Sequence, residues 1–363
     1  MLAKQQLNII FPFALSYGPY FLVYFFGTDL DLIKYVDFKY FLDFIVIVLA
    51  FGFSQMLFKV DRKDFIVGAL KLQFYTAFVL CAVLMFIYKA LVLISLCALS
   101  LTLFQIERNM YLRLTLSNAF YKVFLTQNLL LLLGFLLWFC GLIHNIELSY
   151  SLVLLVSPFC SKWIRRFFMS DLGEYKITPS ALRDIMEGVF SQAVCVAIPF
   201  VLNSVVSFKG IETSLNKELT LYLFFYMATF FPANMYGAKI VSFIRRNRGA
   251  VVLTNYFRRA VFVSIVLSFI SLLFLFIPEL DTRVSIFYML CLGTFSRLFI
   301  PVNIANSRVL YNVLAGLLEL FVLISLFLVV SLTEENIISI MITAITLSLL
   351  CSVVLVKNFK YEL

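Results

Sequence analysis

The sequence predicts an all-α polytopic membrane protein with twelve transmembrane helices, arranged as two six-helix bundles. Three observations carry this expectation. Of 363 residues, 63% are hydrophobic and only 13% charged, whereas soluble domains are about half apolar and about a quarter charged. That excess cannot all be buried in one core, so lipid must solvate part of the surface. The apolar runs continue for about 20 residues without alternating, which fits helices rather than a β-barrel, because backbone in hydrocarbon must satisfy its hydrogen bonds within the segment. The stretch KWIRRFFMSDLGEYKITPSALRD (162–184), with Lys162, Arg165, Arg166, Lys176 and Arg183, is the longest polar break and lies near the middle of the chain. It divides residues 1–163 from 185–363, with 164–184 as a basic cytoplasmic linker.

The first half supplies six spans, at 8–27, 41–58, 65–88, 90–106, 122–143 and 148–163. Lys4 before an apolar run resembles a signal peptide, but no small-x-small cleavage site follows, so the first span is read as a retained helix. SYGPY (16–20) places Gly18 and Pro19 midway through it, where proline frees a carbonyl and permits a bend. The acidic stretch GTDLDLIKYVD precedes the second span and forms, with residues to 40, one of the two longest outer loops; Asp43 then begins that span in a solvated position. Lys71 enters the third span by about one and a half turns, beside Gln73. Lys89 alone separates the third from the fourth, which forces antiparallel neighbours. Gln127 and Asn128 lie in the fifth, and the sixth is the shortest.

The second half supplies spans at 185–208, 219–241, 256–277, 284–304, 309–331 and 336–356. Glu187 starts the seventh, where a carboxylate favours a helix N-terminus, and Pro199 and Asn203 follow within it. Pro232 and Asn234 fall in the eighth, Arg297, Pro301 and Asn303 in the tenth, and Glu319 near the centre of the eleventh. The halves echo one another: FLDFIVIVLAFGFSQMLFKVDRKDFIVGALK and LYLFFYMATFFPANMYGAKIVSFIRRNRGAVVLTNYFRR each join two apolar spans by a basic inner loop. Lys71 and Arg259 fall at similar places, as do Arg113 and Arg308. Six spans per half gives both the same orientation, so the repeat is parallel, about an axis along the membrane normal.

Basic residues orient the chain. With the N-terminus cytoplasmic, inner segments hold Lys4, Lys59, Arg62, Lys63, Arg108, Arg113, Lys122, the linker cations, Lys239, Arg245, Arg246, Arg248, Arg258, Arg259, Arg308, Lys357 and Lys360. Outer segments hold only Lys34, Lys39, Lys89, Lys209, Lys217 and Arg283, and acids gather there (Asp29, Asp31, Asp37, Glu147, Glu212, Glu218, Glu279, Asp281, Glu334, Glu335). The positive-inside asymmetry therefore puts both termini in the cytoplasm. It also explains the net charge of +9 without nucleic acid, since the cations are spread over short loops. The seven Cys sit in or at the ends of apolar segments without C-x-x-C spacing and read as packing residues. The one His, His144, lies beside an outer loop, so no His-based triad or metal cluster is expected.

On this layout, with LYLFFYMATFFPANMYGAKIVSFIRR (221–246) and RLFIPVNIANSRVLYNVLAGLLELFVLISLFLVV (297–330) as the similar local stretches, the chain resembles the multidrug/oligosaccharidyl-lipid/polysaccharide exporter superfamily, and within it the bacterial O-antigen (polysaccharide repeat-unit) flippases. The resemblance implies a protein of the bacterial inner membrane that moves an undecaprenyl-diphosphate-linked oligosaccharide from the inner to the outer leaflet. It implies two bundles around a central cavity that opens alternately to each side, no organic cofactor, coupling to H⁺ or Na⁺ left open, and a polysaccharide polymerase and chain-length proteins as partners. The physics agrees independently. A glycan and a diphosphate cannot cross hydrocarbon unaided, whereas a polar, cationic interior can carry the headgroup while the polyprenyl tail stays in lipid.

The candidate residues follow from that chemistry. Arg297 offers a planar fork suited to two phosphate oxygens; the plain alternative is snorkelling to the inner interface. Lys71 is the second candidate, with the same alternative. Arg113, Lys122 and Arg308 near the inner mouth could collect an anionic headgroup or simply set topology. Glu319 is the candidate coupling site, because an intramembrane carboxylate costs about 2.5–3.5 kcal/mol on insertion scales; its plain alternative is an ion pair with Arg297 or Arg308. Asp43 and Glu187 are outlying coupling candidates. Gly18, Pro19 and Pro199 are candidate hinges, against ordinary membrane-helix kinks. Asn203, Asn234, Asn303, Asn306, Gln127 and Asn128 could line a sugar cavity or bond helix to helix.

Two other functions compete. A polytopic glycosyltransferase or polysaccharide polymerase would use the same lipid-linked substrate, with Asp29, Asp31 and Asp37 as its acidic cluster, but such chemistry usually sits on sizeable outer loops and none is present. A cation or drug exporter of the same superfamily would favour acidic interior residues, whereas the interior charges here are mostly cationic.

Overall fold

The computed structural model describes residues 11–12, 15–50, 75–83, 85–86, 92–113, 117–153, 198, 201, 213–230, 233, 237, 240, 258, 262, 265–266, 280–305, 308–331 and 333–357. All regular structure among them is helical, and the chain divides into two compact units, Met1–Val196 and Ala197–Leu363. The linker at 164–184 and most of the seventh and ninth spans lie outside the described residues. Four described helices are long and apolar enough to cross a membrane: Ala119–Phe139, Val284–Ile304, Val309–Val329 and Glu335–Leu355. The chain is an all-helical, multi-pass membrane protein.

The first unit contains α1 (Gly18–Phe26), α2 (Asp29–Ala50), α3 (Val92–Arg113), α4 (Ser117–Phe139) and the short α5 (Ile146–Ser149). Pro19 stands in the first turn of α1, and the helical residues before it are interrupted by a turn at Tyr17, as a residue without an N–H dictates. Residues 29–40, expected as an outer loop, are instead the opening turns of α2. The reason is local: Thr28 Oγ1 accepts from the Asp31 N–H at 3.2 Å while Asp31 Oδ2 accepts from the Thr28 N–H at 3.0 Å. That reciprocal cap satisfies two orphan donors and starts the helix about a dozen residues early. Asp43, expected to be solvated, is half-buried in mid-helix and pairs with Lys39 Nζ at 2.5 Å, one turn earlier. Helix α4 ends at Gly141, whose φ of 74° suits a residue without Cβ. There the N–H of Leu142 bonds to the Leu137 carbonyl and that of Gly141 to the Trp138 carbonyl, a Schellman closure.

Packing in this unit runs α2 on α3, α3 on α4, and α1 and α5 against both α2 and α4. Phe135 is its hinge-pin: its ring meets Tyr35 and Tyr150 edge-on, each at 5.4 Å between centroids. Gly134 beside it lets α5 in, because a Cβ there would lie 1.9 Å from the Ser149 carbonyl oxygen.

The second unit contains α6 (Thr213–Ala228), α7 (Leu280–Arg297), α8 (Phe299–Ala305), α9 (Val309–Val329) and α10 (Glu334–Lys357). Helix α10 is its axis and packs against α6, α7 and α9. It turns Ile337, Met341, Ala344, Ile345, Ser348 and Ser352 inward, a stripe at helical spacing. The outward face of α9 (Leu310, Leu314, Leu317, Phe321, Leu328) is exposed yet as apolar as the inward one, the pattern of a helix whose solvent is lipid. The tenth expected span matches the candidate Val284–Ile304 but is interrupted within it: Pro301 lacks the N–H that would reach the Arg297 carbonyl, and the chain turns at Leu298 before α8 resumes.

Candidate functional site

The site lies inside the second unit, where α6, α7 and α9 each contribute one polar side chain. Glu319 is 0% exposed and Arg297 4%. Arg297 Nη1 donates to Glu319 Oε2 at 2.5 Å and Nη2 donates to Oε1, the bidentate fork of a guanidinium on a carboxylate. The Tyr226 hydroxyl closes the ring: it accepts from Arg297 Nη2 at 2.9 Å and donates to Glu319 Oε1. The guanidinium carbon stands over the Phe230 ring, 4.1 Å from its centroid, and over the Tyr226 ring at 5.5 Å. Cation–π contact of this kind is stronger when desolvated, about 2 kcal/mol or more.

The local sequence explains how three helices meet so closely. Gly293 is one turn before Arg297 on α7 and faces Thr229 at the end of α6, where a Cβ would stand 2.4 Å from Thr229 Cγ2. Glycine thus removes the bulk that would hold α7 off α6, and the long Arg297 side chain reaches Tyr226 from the next turn. Thr229 donates its own hydroxyl to the Tyr226 carbonyl at 2.6 Å, so its polar atom is satisfied inside the contact. Tyr226 and Phe230 are four residues apart and share a helix face, with rings 6.4 Å apart.

A second polar contact braces the α8–α9 corner. Asn303 Nδ2 donates to Asn312 Oδ1 at 2.7 Å, and Asn312 Nδ2 reaches the Ile300 carbonyl at 3.3 Å. Both side chains are buried, so here the amides bond helix to helix. The same holds for Asn128, which donates to the Pro12 carbonyl at 2.7 Å in the first unit.

The other described sequence candidates are not part of the Arg297–Glu319–Tyr226 ring. Arg308 precedes α9 as its N-cap without a side-chain cap bond, and its guanidinium stands 5.9 Å from the Tyr311 ring centre. Lys122 is exposed on α4, and Arg113 ends α3. Gly18 and Pro19 open α1. Lys71 and Pro199 lie outside the described residues, as do Asn203, Asn234, Asn306 and Glu187. Sequence reasoning therefore named Arg297 and Glu319 separately, and weighed their pairing, but missed Tyr226 and Phe230. Among the described residues no group of His, Cys, Asp and Glu is arranged to hold a metal ion.

No protein-family model and no curated protein matches the sequence. Solved structures do match. An outward-facing multidrug resistance MATE family transporter of the MOP superfamily aligns with a TM-score of 0.65 at 13% identity, over 97% of this chain and 94% of its own. A MATE protein crystallised with Br-NRF aligns with a TM-score of 0.65 at 13% identity, over 96% and 91%. A MOP superfamily transporter from Pyrococcus furiosus Vc1, for which reversed polarity of the binding pocket points to a different function, aligns with a TM-score of 0.63 at 11% identity, over 96% and 93%. The chain has the fold of the MATE transporters.

Proposed function

We propose that the protein is a flippase that moves undecaprenyl-diphosphate-linked glycan repeat units from the inner to the outer leaflet of the bacterial inner membrane by alternating access. In this reading twelve helices form two six-helix bundles around a central cavity, with both termini in the cytoplasm. The observation that carries it is Arg297: a guanidinium held inside an apolar bundle of a transporter fold, opposed by one carboxylate. A permanent cation in that position is costly and is the group a diphosphate headgroup requires. Lys71, Arg113, Lys122 and Arg308 would collect the headgroup, Glu319 would couple the cycle to H⁺ or Na⁺, and Gly18, Pro19 and Pro199 would flex.

The neighbours' fold favours a second reading, export of drugs. Against it stands Arg297, a buried guanidinium where a cationic drug would need an anion. The Pyrococcus furiosus transporter, with its reversed pocket polarity, supports one fold serving cargoes of different charge.

The test is depletion of the protein, followed by a membrane-impermeant glycan label applied to right-side-out and inverted vesicles. Lipid-linked oligosaccharide should accumulate where only inverted vesicles are labelled. Normal outward passage with unpolymerised units outside would instead identify a polymerase. Unchanged glycan traffic with altered efflux of cationic dyes would identify a drug exporter.

A further inference from the structure

Resting on the flippase reading, we infer that Gln105, Arg108 and Gln127, in the first unit, form a site for sugar hydroxyls of the cargo. The Arg108 guanidinium carbon stands over the Phe124 ring, 4.9 Å from its centroid. That contact sets the register of α3 and α4, which pack together and are joined by residues 114–116, a connection short enough to make them antiparallel. Gln105 precedes Arg108 by three residues on α3, and Gln127 follows Phe124 by three on α4. Both amides therefore stand at one level on the contacting faces, one turn beyond the arginine. Gln105 closes the apolar stretch Val92–Gln105, and Gln127 lies inside the membrane-spanning stretch Ala119–Phe139. In the orientation proposed above, this is the cytoplasmic end of the helix pair, the side from which the cargo enters.

Three polar atoms here are unmet. Gln105 Oε1, Gln127 Oε1 and Arg108 Nε are buried and have no hydrogen-bond partner. Hydrocarbon cannot supply one, and each such group costs free energy while it goes without. The three residues are nevertheless half-buried rather than enclosed, so a ligand has an open side from which to approach. Rotation of an amide about its last bond exchanges its oxygen for its NH₂ at no cost in volume. The unmet set selects the ligand. Two acceptors favour a ligand that donates, hence hydroxyls over a bare phosphate or carboxylate, while the guanidinium beside them favours one that accepts and repels an ammonium. A sugar hydroxyl does both: neighbouring hydroxyls of one ring can donate to the two amides, and an oxygen of either can accept from Arg108 Nε. The glycan is read here, whereas the diphosphate is left to the cations named above.

The test is saturation-transfer NMR on the purified full chain in nanodiscs, with N-acetylglucosamine, galactose, glucose and rhamnose as probes and sodium sulfate as competitor. At least one sugar should show saturable transfer that sulfate leaves unchanged. Gln105→Leu and Gln127→Leu should each weaken that binding about tenfold or more, yet keep or raise the thermal stability of the chain, because an apolar side chain removes an unmet buried acceptor. Arg108→Lys, which keeps the charge but lacks the Nε–H of the fork, should weaken binding to a similar degree. The site is overturned if none of the four sugars binds the wild type, if sulfate displaces the bound sugar, or if the leucine variants bind as the wild type does. Failure of both leucine variants to fold would mark the amides as structural and overturn it equally. Vesicle labelling can show flipping when no sugar binds here, and sugar can bind here when labelling shows no flipping, so the two readings fail separately.

Discussion

Arg297 and Glu319 are 22 positions apart in sequence and reach each other across three helices, so each is stable in the apolar interior through the other. Removing one alone leaves the other buried and uncompensated, a loss of about 3–5 kcal/mol. Arg297→Ala should therefore lower thermal stability in detergent markedly, while the double variant Arg297→Met/Glu319→Met should recover most of it, because an apolar pair of similar volume avoids desolvating two charges. If the double variant also transports glycan lipid at the wild-type rate, the pair serves only structure. Tyr226→Phe deletes two hydrogen bonds to charged groups but leaves the Arg297–Glu319 fork intact, so it should destabilise less than Arg297→Ala. Both charged residues were legible in the sequence because each interrupts a long apolar run. Tyr226 and Phe230 were not: among 42 Phe and 18 Tyr, two aromatics at helical spacing carry no distinguishing signal.

Helices in lipid gain little from the hydrophobic effect between one another, so close approach at small residues matters more. Gly293 and Gly134 mark the two tightest approaches, to Thr229 and to the Ser149 carbonyl. Gly293→Ala should push α7 away from α6, stretch the Arg297–Tyr226 bond and reduce transport. Gly293→Ala with Thr229→Ser removes the methyl at 2.4 Å but leaves Cβ of residue 229 at 2.8 Å, so it should restore transport only in part. Gly134→Ala meets backbone rather than a side chain, so no partner substitution should rescue it; recovery with a smaller residue at position 149 would contradict the geometry. The helices themselves were legible from continuous apolar runs, and the break before α8 follows from Pro301. The early start of α2 was not. Residues 29–40 mix acids, Lys34 and Lys39 with apolar side chains, which reads as loop until the reciprocal Thr28–Asp31 cap is recognised as a start signal.

For the whole chain, the proposed orientation with both termini cytoplasmic predicts that the turn after α4 faces outward. Cys140 is exposed at that turn. In a variant whose other cysteines are replaced, an impermeant maleimide should label it on intact spheroplasts without lysis; labelling only after lysis would reverse the topology. The likeness to the MATE fold rests on how the helices pack, whereas composition pointed only to a multi-pass helical membrane protein, since charge asymmetry records orientation but not which helices touch. The continuity of α2 has a practical corollary. Twenty-two residues at 1.5 Å each make a rod about 33 Å long, so its opening turns cannot accept an inserted epitope or fluorescent reporter without unseating Tyr35 and Phe38 below. The glycine turn between Cys140 and Asn145 is the better graft point.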